Sequence, residues 1–379
     1  MKKNHKLLAY FGVMLAAGLL TNGSLALADT TDSSQSSASS ESAAVSSSSQ
    51  SSSAETKTIN LKDYLSKKPV AIKVKKATQL FKNANLTRSA GTAKKNNHYL
   101  ISSLSKNSEG EPVLKTHSGL YLTAKKSNVV KVKTYQNPKR YHQIHYTRVK
   151  PYGQVGYTVK RNYEGIKTYL IMKRLGTYNG YNCYNTATWN AVRNFQARHG
   201  LKVTGNVNKA TWVKLGLSAK LWTEIDSYTA PLGAQAWQGR KAHIEAMIKQ
   251  AYKYLGNPYL VGSSSMPRYG TDCSGLVIQS LYAGGISPVP VSAIGHAHPG
   301  NEWNSRNLWA DRKLKRVSYA NRQRGDLVFY YQPGTRTIWH VAIYLGNNRV
   351  IESWPPRIMV QPISNGQRNV IAGIKRPFI

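Results

Sequence analysis

Cys273 and His340 are residue types whose placement can make an activated thiol. Cys273 lies in Tyr269-Gly270-Thr271-Asp272-Cys273-Ser274-Gly275-Leu276-Val277-Ile278, where a glycine-bearing loop turns into an apolar helix. A thiol in the first turn of a helix meets unpaired N–H groups and the positive end of the helix dipole, and both favour thiolate. His340 heads an alternating strand, Trp339-His340-Val341-Ala342-Ile343-Tyr344-Leu345, and is the proton shuttle that such a thiolate needs. Cys183, in the Tyr/Asn-rich loop Tyr181-Asn182-Cys183-Tyr184-Asn185, has no helix start or histidine beside it and is expected to be passive. A disulfide between the two cysteines would consume the nucleophile.

Register offers a third member. If Gly346-Asn347-Asn348 is a three-residue hairpin loop, Leu345 faces Arg349 and Ala342 faces Glu352. Glu352 then shares a face with His340 at the diagonal position, about 7–8 Å away at Cβ. A carboxylate there would accept the imidazole N–H, fix its tautomer and stabilise imidazolium. The imidazolium would in turn hold Cys273 as thiolate, giving a resting ion pair. A two-residue loop would turn Glu352 to the opposite face; the other reading of Glu352 is a solvated strand carboxylate. His296 and His298 sit in a Gly/Pro loop and no His-Glu-x-x-His pattern occurs, so neither a metal nor another cofactor is expected.

These residues belong to a last domain expected over 243–379. It opens with a helix whose apolar face is Ile244, Met247, Ile248, Ala251 and Leu255, continues through the Cys273 helix, and ends in several strands. Helices first and an antiparallel sheet afterwards make an α+β fold. The motifs Gly-x-Pro-Tyr ending at Tyr259, Asp-Cys-Ser-Gly from Asp272, Arg-Gly-Asp-Leu-Val from Arg324 and His-Val-Ala-Ile-Tyr-Leu-Gly from His340 resemble, in that order, an NlpC/P60 peptidoglycan endopeptidase. The resemblance implies a papain-like architecture and cleavage of stem peptides after γ-D-glutamate, before the diamino residue. It implies that the Tyr259 hydroxyl lies near the scissile carbonyl, that Asp272 caps the helix or contacts a substrate amine, and that Ser274 supports the site. The Cys273 backbone N–H is the expected oxyanion donor. Glu352 stands twelve residues after His340, where this family usually has His, Asn or Gln. Two rivals remain open: an amidase of the related Cys/His fold, and a non-catalytic wall-binding or adhesion protein.

The rest of the chain is read as a delivery apparatus. Lys and Arg number 53 against 16 acids, a net charge of +37, of which Lys2, Lys3 and Lys6 supply three and the remainder +34. Such a charge calls for a polyanion; without a recognised nucleic-acid module, the anionic polymers of a bacterial wall fit better than nucleic acid. Residues 1–28 read as a signal peptide, with an apolar run from Leu7 to Leu20 and small residues at Ala26 and Ala28. Export to the wall of a Gram-positive bacterium is therefore expected, with no membrane span after cleavage. Residues 29–56 are a Ser-rich spacer. Residues 57–150 form a basic β-rich segment in which Lys76-Ala77-Thr78-Gln79-Leu80-Phe81-Lys82-Asn83-Ala84 is similar to SH3-like wall-binding repeats. Residues 164–217 switch to helical spacing, with Thr186 placed to cap a helix whose Trp189, Val192 and Phe195 share a face. The order Thr-x-x-Ala-Val-x-x-Phe-Gln, Leu-x-Val-Thr-Gly-x-Val and Ala-Thr-Trp resembles the three-helix peptidoglycan-binding module of cell-wall hydrolases. Residues 218–242, with Pro231, Gly233 and Gly239, are expected to be a linker.

Overall fold

Alternation of apolar and cationic residues sets the first strands, and the computed structural model shows how they close. It describes residues 58–135, 142–143, 155–289, 303–363 and 368–379. The signal peptide and Ser-rich spacer expected over 1–28 and 29–56, and His296 and His298, lie outside the described residues. Strands β1 (Ala71–Val74), β2 (Thr78–Phe81), β3 (Ser89–Ala93), β4 (His98–Lys106), β5 (Pro112–Thr116), β6 (Tyr121–Thr123) and β7 (Val129–Lys131) form one sheet in the order β3-β2-β6-β5-β4-β1-β7. Ile72, Val74, Leu80, Ile101, Leu114 and Leu122 fill its core, while lysines such as Lys75, Lys94 and Lys95 face solvent. A two-residue strand, β8 (His142–Gln143), pairs with β9 (Ile286–Ser287) far along the chain.

The helical segment contains α1 (Ile166–Leu175), α2 (Thr186–Arg198), α3 (Lys209–Lys214) and α4 (Leu221–Ser227). Helix α2 is capped by Asn185, whose side chain takes the Thr188 N–H at 2.9 Å, and not by Thr186, which is the first helical residue. An asparagine one position earlier satisfies the same orphan donor. Val192 and Trp212 are fully buried, with Trp189 and Phe195 packed against that core. The stretch 218–242, expected as a linker, contains α4, and its Trp222 and Ile225 are buried in the same core. A buried ion pair anchors it. Lys167 Nζ lies 2.6 Å from Asp226, both side chains wholly enclosed, with the ammonium over the rings of Tyr157 (4.0 Å) and Trp222 (4.3 Å). Leu260 and Tyr269, from the next domain, also bury into this helical core.

The last domain has α5 (Arg240–Tyr252), α6 (Cys273–Ala283), α7 (Ser305–Ala310) and a six-stranded antiparallel sheet. The strands are β10 (Lys315–Val317), β11 (Leu327–Tyr331), β12 (Ile338–Gly346), β13 (Arg349–Trp354), β14 (Arg357–Pro362) and β15 (Ile371–Arg376), ordered β10-β15-β11-β12-β13-β14. All eleven residues of α6 are buried, as a helix with apolar residues all round requires. It packs with α5 on Phe329, Val341, Ile343 and Ile351, and the alternate strand positions Val328, Tyr330, Ala342 and Val350 form a second core on the other face. Leu255 does not extend the α5 face: it lies past the helix end and is 47% exposed.

Candidate active site

Cys273 is the first residue of α6, and Asp272 caps that helix. One Asp272 oxygen accepts the Gly275 N–H at 2.8 Å and the Ser274 hydroxyl at 2.9 Å; the other accepts the Gly262 N–H at 3.0 Å. Gly275 is required here, because a side chain would run into the Ser263 carbonyl. The Cys273 sulfur lies against the backbone of β12, 3.9 Å from the Trp339 carbonyl and within the influence of the Val341 N–H, so the strand segment carrying His340 faces the helix start.

His340 is 3% exposed and its ring is bracketed by Tyr330 (centroids 5.3 Å apart) and Trp354 (4.8 Å, edge-on). Its Nε2 lies 2.5 Å from Glu352 Oε2, and Glu352 is fully buried, not a solvated strand carboxylate. The hairpin that brings them together differs from the expected one. Asn347 and Asn348, both in the left-handed region (φ 49° and 56°), form a two-residue turn, and Gly346, not Leu345, pairs with Arg349. A bulge at Leu345 then restores the register to Tyr344 opposite Val350 and Ile343 opposite Ile351, the register in which Ala342 would fall opposite Glu352. The extra bulge residue cancels the one-residue slip that a two-residue turn alone would cause.

Two opposing influences act on the Cys273 thiol. Burial, followed by the Asp272 charge, pushes the Cys273 thiol up to about 12, against the opposing pull of the Val341, Ser274 and Cys273 N–H groups. The thiol donates to the Trp339 carbonyl at 3.9 Å. At 7% exposure the cost of desolvating a thiolate outweighs the helix-start advantage.

Tyr259 joins this cluster through backbone pairing of its strand-like segment with Thr271, and burial together with Cys273 and Asp272 holds its hydroxyl well above the usual phenol range. A phenol O–H there can donate a hydrogen bond. Cys183 is a free thiol, raised by burial and by Glu164, and does not reach Cys273. No group of three or more His, Cys, Asp and Glu residues able to hold a metal occurs among the described residues.

Several residues at the site have no local signature. Gln361 donates its amide to the second Glu352 oxygen. Its place follows from β13–β14 register, Glu352 opposite Met359, with Gln361 diagonal on the same face; the Pro355-Pro356 turn is the signal that could have given it. Asn182 reaches across from the helical segment, bonding the Val261 N–H (3.0 Å), the Val261 carbonyl (2.9 Å) and the Gly165 carbonyl (3.3 Å). Tyr181, which donates to Glu164 at 2.5 Å, and Glu164 itself lie close enough for their charge to bear on Tyr259.

Comparisons with known proteins agree with this architecture. Residues 256–370 match the NlpC/P60 family, residues 172–215 match a peptidoglycan binding domain, and residues 64–129 match a domain of unknown function, DUF5776. The NlpC/P60 match thus falls on the domain that holds Cys273, His340 and Glu352, and the peptidoglycan binding match on the helical segment. It is similar to the bifunctional muramidase/DL-endopeptidase CwlT of Bacillus subtilis, 33% identical over 132 residues, which covers 34% of this chain and 35% of that protein. The peptidoglycan endopeptidase RipA of Mycobacterium tuberculosis is 28% identical over 168 residues, covering 40% and 31%. The γ-D-glutamyl-L-lysine dipeptidyl-peptidase of Bacillus subtilis is 31% identical over 115 residues, covering 30% and 33%. The chain spans about a third of the length of these relatives.

Proposed function

We propose that this protein is a secreted cysteine peptidase that cuts the stem peptide of peptidoglycan between γ-D-glutamate and the diamino residue. The observation that carries the reading is the fully buried Glu352 carboxylate on His340 Nε2, on the strand that faces the thiol at the start of α6. Glu352 occupies Nε2, so Nδ1 is the nitrogen left to exchange a proton with the sulfur. The Cys273 proton passes to His340 as the sulfur attacks the amide carbon. The tetrahedral oxyanion is held by the Cys273 N–H and the Tyr259 hydroxyl. Imidazolium then gives the proton to the leaving amine, a thioester remains, and water, deprotonated by His340, releases the acid and the thiol. Asp272 serves as helix cap, which is the use its hydrogen bonds support, and Ser274 holds that cap in place. The bond specificity follows the relatives named for DL-endopeptidase and γ-D-glutamyl-L-lysine activity.

Wall attachment belongs to the same proposal. Residues 164–217 would bind glycan and the basic segment 57–150, taken as SH3-like, would hold anionic wall polymers; the +37 charge supports this. No helix among the described residues is long and apolar enough to cross a membrane. Mass spectrometry of digested muropeptides tests the reading: fragments ending in γ-D-glutamate are expected. Intact stem peptides freed from glycan would assign an amidase instead, and wall binding without any release would assign a binding protein.

A further inference from the structure

Like charges face each other on the outer edge of the last domain's sheet. Strand β10 pairs with β15 so that Lys315 lies opposite Arg376 and Arg316 opposite Lys375. Directly opposed like charges destabilise an antiparallel pair unless something offsets them. Arg376 has its counter-charge, two 2.8 Å bonds to the buried Asp326 carboxylate. The Arg316–Lys375 pair has Asp311 nearby, whose carboxylate also accepts the Lys313 N–H at 2.8 Å.

Lys375 is only 3% exposed, and its ammonium is fixed by the carbonyls of Trp309 and Asp311. Burial first, then repulsion from Arg316, push it down to about 8. Between these groups is a cavity of about 360 Å³ lined by Trp309, Arg312, Lys315, Arg316 and Lys375, four cations around one indole. The indole is held in place: Arg316 lies over it at 4.7 Å, Lys375 at 5.3 Å and Phe329 packs at 5.2 Å. Gly373 makes its seat, since a side chain there would meet the ring at 2.9 Å. A rigid aromatic floor ringed by cations suits an anion with a short carbon skeleton beside it, because guanidinium and ammonium groups grip phosphate oxygens while the ring covers carbon.

We propose that the α7–β10–β15 cavity is an anion subsite that takes one phosphodiester unit of a polyol-phosphate wall polymer. It rests on the reading of this protein as a wall hydrolase and adds a polymer contact to the catalytic domain itself. The test is binding of poly(glycerol phosphate) to the full chain at physiological salt, comparing Arg312→Gln/Arg316→Gln with Lys94→Gln/Lys95→Gln. Both doubles remove two exposed positive charges, so general attraction falls equally. The site double should bind at least about tenfold more weakly than the control, as expected for loss of charge-assisted bonds. Equal losses in the two doubles would overturn the proposal, leaving only diffuse charge. Competition by inorganic phosphate as effective as by polymer, or binding to phosphatidylglycerol vesicles that depends on Arg312 and Arg316 without polymer binding, would overturn the polymer as source. Hydrolysis of a soluble muropeptide by the same variants keeps the two readings apart. It should be unchanged in the site double, and its absence in wild type would refute the peptidase and leave the binding result intact.

Discussion

Replacing Glu352 by Gln removes one buried charge and almost no volume, which makes it the sharpest probe of the site. Glu352 is wholly enclosed, with one oxygen 2.5 Å from His340 Nε2 and the other accepting the Gln361 amide. A glutamine can keep both contacts: its oxygen takes the imidazole N–H, and its NH₂ meets the Gln361 oxygen once that amide turns over. What is lost is the charge assistance. Hydrogen bonds to ionised groups contribute roughly 1.5–3 kcal/mol and neutral ones roughly 0.5–1.5, so the difference is on the order of 1.4 kcal/mol, or about tenfold in kcat/KM. Glu352→Ala instead strands the imidazole N–H and the Gln361 amide without partners at about 1–3 kcal/mol each, giving a loss on the order of a hundredfold and a lower melting temperature. The assay is kcat/KM on a soluble muropeptide followed by mass spectrometry, with thermal melts alongside. If both variants stay within about twofold of wild type between about pH 5 and 8, Glu352 does not orient His340 and the enzyme works as a Cys/His pair.

Cys273→Ser should abolish hydrolysis while wall binding persists, and Cys183→Ser should leave both nearly unchanged; near-normal activity in the first would rule out the thiol mechanism. Burial pushes the Cys273 thiol up to about 12, so little of it should be thiolate at pH 7. Its alkylation by iodoacetamide should then be slow and climb with pH until about 12; a rate already at its plateau below pH 8 would show a resting ion pair. Asn182→Ala leaves the Val261 N–H and carbonyl without that partner, so stability, followed by thermal melt, should fall by about 2 kcal/mol. Because Val261 adjoins the Gly262 N–H that holds Asp272, kcat should drop as well, with wall binding intact; an unchanged melt and kcat would refute the link.

The parts of the site that local chemistry dictates were legible. Cys273 at a helix start, His340 on an alternating strand and Asp272 one residue before the helix all follow from neighbours within a few positions. Glu352 was reachable because hairpin register is arithmetic, although the route was different: the two-residue turn needed the bulge at Leu345, and a bulge leaves no mark in apolar periodicity. Burial at Cys273 is hidden for a related reason. The helix-start effect on Cys273 is local, whereas the burial that opposes it is made by the whole domain. Asn182 touching Val261, 79 residues away, and α4 burying Trp222 inside a stretch rich in Pro and Gly are tertiary choices that no short window records.

The shared core of the helical segment bears on how such a chain can be recombined. A graft point between 218 and 242 would be the obvious choice from composition. A cut there would split Lys167 from Asp226, or else expose Leu260 and Tyr269 to water and take Asn182 from Val261. The Gly156 N–H, bonded to Asp226 at 2.7 Å, belongs to the same block. The transplantable unit therefore begins no later than Gly156, and a chimera joined at the later seam would inherit a destabilised catalytic half.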